Sequence, residues 1–150
     1  MYDFVDRPID QLNESGAVVL HGMRVWVRRR AAGQCPCAEM RNLFIPRGFG
    51  ASLAGFGTMM NALHGGARRN ITFLPVTCAR IGEDEAVLLA LLRTRDATSG
   101  PRDQAAISLV VGARLPHFLQ GVEALARGFE SRGGPPRVVG ERQCGRMPGS

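Results

Sequence analysis

The sequence contains no lysine; all 19 of its basic residues are arginine. A Walker-type phosphate loop needs a lysine to reach the β- and γ-phosphates, so that chemistry is excluded. Schiff-base catalysis is excluded with it, as are the kinase and Ser-x-x-Lys hydrolase constellations. A GC-rich genome, which converts lysine codons to arginine ones, is the simplest cause of the absence. Cysteine is sparse as well: Cys35, Cys37, Cys78 and Cys144 are too few for a disulfide scaffold in a chain of 150 residues. Long apolar runs are missing. The longest uncharged stretch, Gly48 to Ala67, matches a bilayer in length but carries six glycines with Ser52, Thr58, Asn61 and His64, so no membrane span is expected. The opening Met-Tyr-Asp-Phe-Val-Asp is acidic where a secretory signal needs basic residues, and the expected setting is a reducing cytoplasm with free thiols.

What is present is the composition of an ordinary globular domain, of a length that buries roughly 68–70% of its unfolded surface without a metal or disulfide staple. The net charge of +6 is unevenly spread. Residues 15–80 hold nine arginines against Glu39 alone, whereas residues 1–14 and 81–130 are net acidic. Any anionic partner is expected to meet the arginine-rich half.

Hydrophobic periodicity places helices along most of the chain. Val19, Leu20, Met23, Trp26 and Val27 form one stripe of a helix capped near Ser15 and ending by Gly33, with His21, Arg24 and Arg28 on its other side. Pro36 is suited to start a short helix through Phe44. A third helix is expected from about Gly50 to His64, with Gly50, Ala54 and Gly57 forming a thin side for a neighbouring helix. Residues 70–77 look strand-like, but Pro75 and the lack of a partner make them an extended connector buried through Ile71, Phe73 and Leu74. Glu83, Asp84 and Glu85 open the next helix at the positive end of its dipole, and the apolar run Ala86 to Leu92 marks it as central. A Pro-started helix is expected over Ala105 to Gly112, and Leu115, Phe118, Leu119, Val122, Leu125, Ala126 and Phe129 give the cleanest amphipathic stripe. The predicted fold is all-α: a compact bundle of five or six short helices with one extended connector and a disordered C-terminal tail. Its divisions are an N-terminal arm (1–14), one helical domain (15–131) and the tail (132–150).

Few residues suggest chemistry. Cys35-Pro36-Cys37, with Cys78 and His64, is the only candidate set for zinc or another soft metal, although zinc sites usually separate paired cysteines by two to four residues. Small thiols that pack as apolar groups, or a redox role, are the competing readings. Arg24, Trp26, Arg28, Arg29 and Arg30 form a candidate partner-binding surface, because arginine forks match phosphates and carboxylates and a tryptophan can stack on bases. A solvated helix face is the bland alternative. The glycine-rich run Gly48 to Gly57 lacks the Gly-x-Gly-x-x-Gly register and a preceding strand, and Ser52 lacks the Gly-x-Ser-x-Gly frame of a nucleophile elbow. His21, His64 and His117 fall on different helices. A Cys–His dyad in the arginine-rich half would have only Glu39 to orient it.

Four segments occur in an order that resembles a family of small uncharacterised helical bacterial proteins from GC-rich genomes. They are His21-Gly22-Met23-Arg24-Val25-Trp26-Val27, then Cys35-Pro36-Cys37, then Leu74-Pro75-Val76-Thr77-Cys78-Ala79-Arg80, then Asp84-Glu85-Ala86-Val87-Leu88-Leu89. The resemblance spans roughly residues 15–130 and implies a helical single domain; it carries no activity. With no catalytic constellation, an uneven charge and an Arg/Trp helix, the expectation is a cytoplasmic, non-enzymatic binding or adaptor protein that needs no cofactor and meets a protein partner through its arginine-rich half. A small metal- or redox-linked protein using Cys35, Cys37 and Cys78, and a nucleic-acid-binding regulator, are the alternatives.

Overall fold

The computed structural model describes residues 4–66, 71–93, 112–130 and 132–139. Among them are five α-helices and no strands, an all-α bundle as the periodicity predicts. They are α1 (Glu14–Ala31), α2 (Cys37–Phe44), α3 (Leu53–Gly66), α4 (Glu83–Arg93) and α5 (Leu115–Glu130). No helix among the described residues is long and apolar enough to cross a membrane. The helix expected over Ala105 to Gly112 lies almost entirely outside the described residues.

The helices close a ring around one core: α1 touches α2 and α4, α3 joins α2 to α5, and α5 returns to α4. Buried side chains from all five, among them Met23, Phe44, Phe56, Leu89 and Phe129, form a single apolar cluster. Rings meet within it, Phe44 against Phe56 at 4.9 Å and Phe49 against Phe129 at 5.8 Å between centroids. Of the stripe on α5, Phe118, Val122, Leu125, Ala126 and Phe129 are buried, and Leu115 and Leu119 lie half-buried at its edge.

Both ends of α1 are determined locally. Its N-cap is Asn13, whose side chain accepts from the Gly16 N–H at 3.1 Å. Ser15, the expected cap, instead turns its hydroxyl to the Gly134 carbonyl at 3.0 Å. At the far end the Gly33 N–H bonds the Arg30 carbonyl and the Gln34 N–H bonds the Arg29 carbonyl. Gly33 supplies the positive φ of 75° that this Schellman closure requires.

Among the described elements the α3–α5 contact is the most extensive, and glycine makes it close. A Cβ on Gly55 would stand 2.5 Å from the Leu125 nitrogen, and one on Gly121 would stand 2.8 Å from the Met59 Cα. The expected thin side was Gly50, Ala54 and Gly57, but Gly57 faces open space and Ala54 is exposed. The α5 face that selects among the glycines of α3 lies some sixty residues downstream, so local spacing pointed to the wrong side.

The first and last described segments pack together on the bundle. Phe4 is fully buried, and residues 6–9 exchange backbone hydrogen bonds with Ala79 and Ile81. Leu12 bridges Val138, and the Asn13 side chain bonds the backbone of Pro135 and Arg137. Pro136 and Val138 are buried, so packing continues past residue 131 as far as Val138; residues 140–150 lie outside the described residues.

Candidate binding cleft and dithiol

The C-terminal turn of α1, the start of α2 and the outer face of α3 enclose a cleft of about 220 Å³. Trp26, Met40 and Phe56 are buried beneath it, and Leu53 is half-buried at its side. Arg30, Arg41, Asn61 and Cys37 line it from exposed positions. The site exists because α1 carries arginines in its last turn, where cations complement the helix dipole, and the Gly33 turn folds α2 back beside them.

The arginines at this end differ in what they do. Arg30 lies over the Trp26 ring at 5.0 Å and donates to the Asn61 side-chain oxygen at 3.0 Å. Arg29 turns to Glu39 and Gln34, each at 2.5 Å. Arg28 and Arg41 are exposed and make no side-chain hydrogen bond or ion pair among the described residues. An apolar floor thus lies under a rim whose positive charge is only partly neutralised.

Arg24 and Trp26 stand apart from the surface that the sequence indicates. Arg24, placed with His21 and Arg28 on a solvent face, is 4% exposed. Its Nε and Nη2 donate to the two Glu85 carboxylate oxygens at 2.8 and 3.0 Å, and Nη1 and Nη2 donate to the Cys78 and Arg80 carbonyls. Glu85 also accepts from the backbone N–H groups of Gly82 and Leu74. The reason is that α4 covers this side of α1, which helical period alone does not reveal. Trp26 is 3% exposed, with Arg30 over its ring and His64 against it in a T-shaped contact at 5.5 Å. It is a floor for the cleft, and its faces are not a free platform for a nucleic-acid base.

The four candidate metal ligands are not assembled. Among the described residues no group of three or more His, Cys, Asp or Glu side chains is arranged to hold a metal ion. His64 is taken up beside Trp26, and Cys78 sits in the connector with its sulfur near the Arg80 carbonyl. Cys144 lies outside the described residues. Cys35 and Cys37 do come together, with sulfurs 2.9 Å apart and both residues exposed. Hydrogen bonds from the Cys37 side chain and backbone, aided by the charges of Arg30 and Arg41, hold the Cys35 thiol below its ordinary value. The same side-chain hydrogen bond and the charge of Cys35 push the Cys37 thiol up.

The other candidates have structural roles or none. Ser52 is buried and donates to the Leu125 carbonyl. His21 and His117 are exposed on separate helices. Sequence reasoning missed the cleft, because its floor is assembled from α1, α2 and α3 together. The one legible signal was Trp26 four residues before Arg30, a spacing that stacks the two on a helix. Comparison with protein-family models, with curated proteins and with solved structures finds no match to this chain.

Proposed function

We propose that the chain is a non-enzymatic binding module, and that the cleft bordered by Arg30 and Arg41 receives an apolar side chain from an acidic segment of a partner protein. The observation that supports this reading is the joining of the two chemistries in one place. Trp26, Met40 and Phe56 offer apolar contact, and the adjacent guanidinium groups suit carboxylates beside the inserted group. Aromatic and arginine anchors around a partly desolvated pocket are the composition of interface hot spots. Arg28, beyond the rim on α1, extends the positive field and favours encounter with an acidic surface.

Trp26 is the only tryptophan in the chain and reports on the cleft directly. Its fluorescence is titrated with a peptide carrying Phe between glutamates, with a lysine-flanked counterpart and with a single-stranded oligonucleotide. A saturable change is expected with the acidic peptide alone, weakened by salt and lost in the R30E/R41E double variant. Equal responses to both peptides, or none to the acidic one, overturn the reading. A response confined to the oligonucleotide transfers the site to nucleic acid.

A further inference from the structure

We infer that Cys35 and Cys37 form a thiol–disulfide exchange pair, with Cys35 attacking a low-molecular-weight disulfide and Cys37 resolving the adduct. The inference does not depend on the cleft binding a peptide. It rests on four features of the pair. The sulfurs are 2.9 Å apart, and an S–S bond needs them to close to about 2.05 Å. Both residues are exposed, so a small disulfide reaches either sulfur without unfolding the chain. Pro36 between them is buried with φ −83° and ψ 0°, which fixes the backbone joining the two thiols. Arg30 and Arg41 border the same rim and favour a thiolate over a thiol.

The roles of the two sulfurs differ. Cys35 is the one whose thiolate gains hydrogen bonds from its neighbour, which makes it the attacking group, while Cys37 keeps its proton longer. In the first step the Cys35 thiol loses its proton and its sulfur bonds one sulfur of R–S–S–R. The external S–S bond breaks, and R–S⁻ leaves and takes up that proton. In the second step the Cys37 thiol loses its proton and attacks the Cys35 sulfur, expelling the other R–S⁻, which is protonated in turn. The protein dithiol is oxidised to a disulfide, and the external disulfide is reduced to two thiols. An exposed disulfide of this kind belongs to the labile class that thiols reverse.

The experiment uses the full chain in graded mixtures of oxidised and reduced glutathione, with acid quenching, alkylation and mass analysis of peptides. The expected product is an internal Cys35–Cys37 disulfide that excess reduced glutathione reopens. Cys37→Ser is expected to accumulate a glutathione adduct on Cys35. In the unmodified reduced chain, a brief pulse of limiting iodoacetamide at neutral pH is expected to label Cys35 ahead of Cys37, because the thiolate is the nucleophile. Circular dichroism of the Cys37→Ser variant checks that this surface change leaves the helices intact. Failure of the internal disulfide to form under oxidising mixtures overturns the inference. So does a pulse that labels Cys37 ahead of Cys35 in the unmodified chain.

Discussion

Arg24 and Glu85 show how one residue can carry opposite meanings in the sequence and in the fold. The charge on Arg24 reads as surface, yet its side chain and that of Glu85 are almost fully buried and bind each other through two hydrogen bonds. Together they also satisfy the Cys78 and Arg80 carbonyls and the Gly82 and Leu74 N–H groups, and so fasten the connector between α1 and α4. Arg24→Met leaves a buried carboxylate without its cation and is expected to cost about 3–5 kcal/mol in urea denaturation. Replacing both residues by methionine removes the stranded charge but takes the hydrogen-bond partner from the Cys78 carbonyl and from the Gly82 and Leu74 N–H groups. That double variant is expected to recover only part of the loss, remaining destabilised by about 1–3 kcal/mol or more. His21 provides a pH dependence. Although the residue is exposed at the surface, partial covering of its ring first, then the charges of Arg47, Arg24 and Arg28, hold its imidazole below the ordinary value of 6.5. The unfolded chain therefore takes up this proton at a higher pH than the folded chain. The histidine's contribution is complete above about pH 6.5 and is lost as pH falls through that value toward the folded-state pKa, below which the loss levels off. His21→Gln is expected to flatten this slope, as denaturation midpoints at about pH 7.5 and about pH 5 would reveal.

At the scale of elements, the helices follow from period and punctuation, but their mutual approach does not. Gly33 stops α1 through local hydrogen bonds, and Pro36 starts α2 through its fixed φ. The glycines of α3 carry no such local signal, because each gives the chain the same freedom and only a neighbour tells them apart. Gly55→Ala and Gly121→Ala push a methyl group into opposing backbone and are each expected to destabilise by about 1–3 kcal/mol. Gly57→Ala meets nothing within 4 Å and is expected to stabilise by about 0.5–1 kcal/mol, through reduced freedom of the unfolded chain. Thermal denaturation of the three variants side by side tests the pairing, and equal effects would contradict it. The connector obeys the same division. Its composition predicted an extended segment without a strand partner, and the Asp84 and Glu85 carboxylates take the hydrogen bonds a neighbouring strand would have supplied.

Across the whole molecule, the two outer segments meet on the N-terminal end of α1. The Leu12–Val138 bridge, the Asn13 contacts with Pro135 and Arg137, and the Ser15 bond to Gly134 make residues 132–139 part of the packed body. Truncation after Glu130 is expected to lower stability by more than about 1.5 kcal/mol, the value of burying one valine side chain. A truncated chain with an unchanged denaturation midpoint would show that these contacts add nothing. The charge distribution is also reshaped at this scale. The excess over residues 15–80 is not one positive face, because Arg24 is neutralised inside the bundle and Arg29 is paired with Glu39. Among the described residues, Arg28 and Arg41 keep positive charge without a side-chain partner, at the end of the bundle where the cleft and the dithiol lie.

The sequence by itself determined the all-α class, the position of each described helix to within a few residues, and the adjacency of Cys35 and Cys37. These are local matters of period, capping and chain connectivity, and the lack of lysine removes several chemistries whatever the fold. The tertiary structure alone decided which charges are buried, which glycines touch a neighbour and where the cleft lies. Arg24, Gly55 and Trp26 each acquire their role from residues distant in the chain: Glu85 on α4, Gly121 and Leu125 on α5, and Phe56 on α3. A helical stripe reports how many faces a helix buries, but the partner on each face is set only when the ring of helices closes.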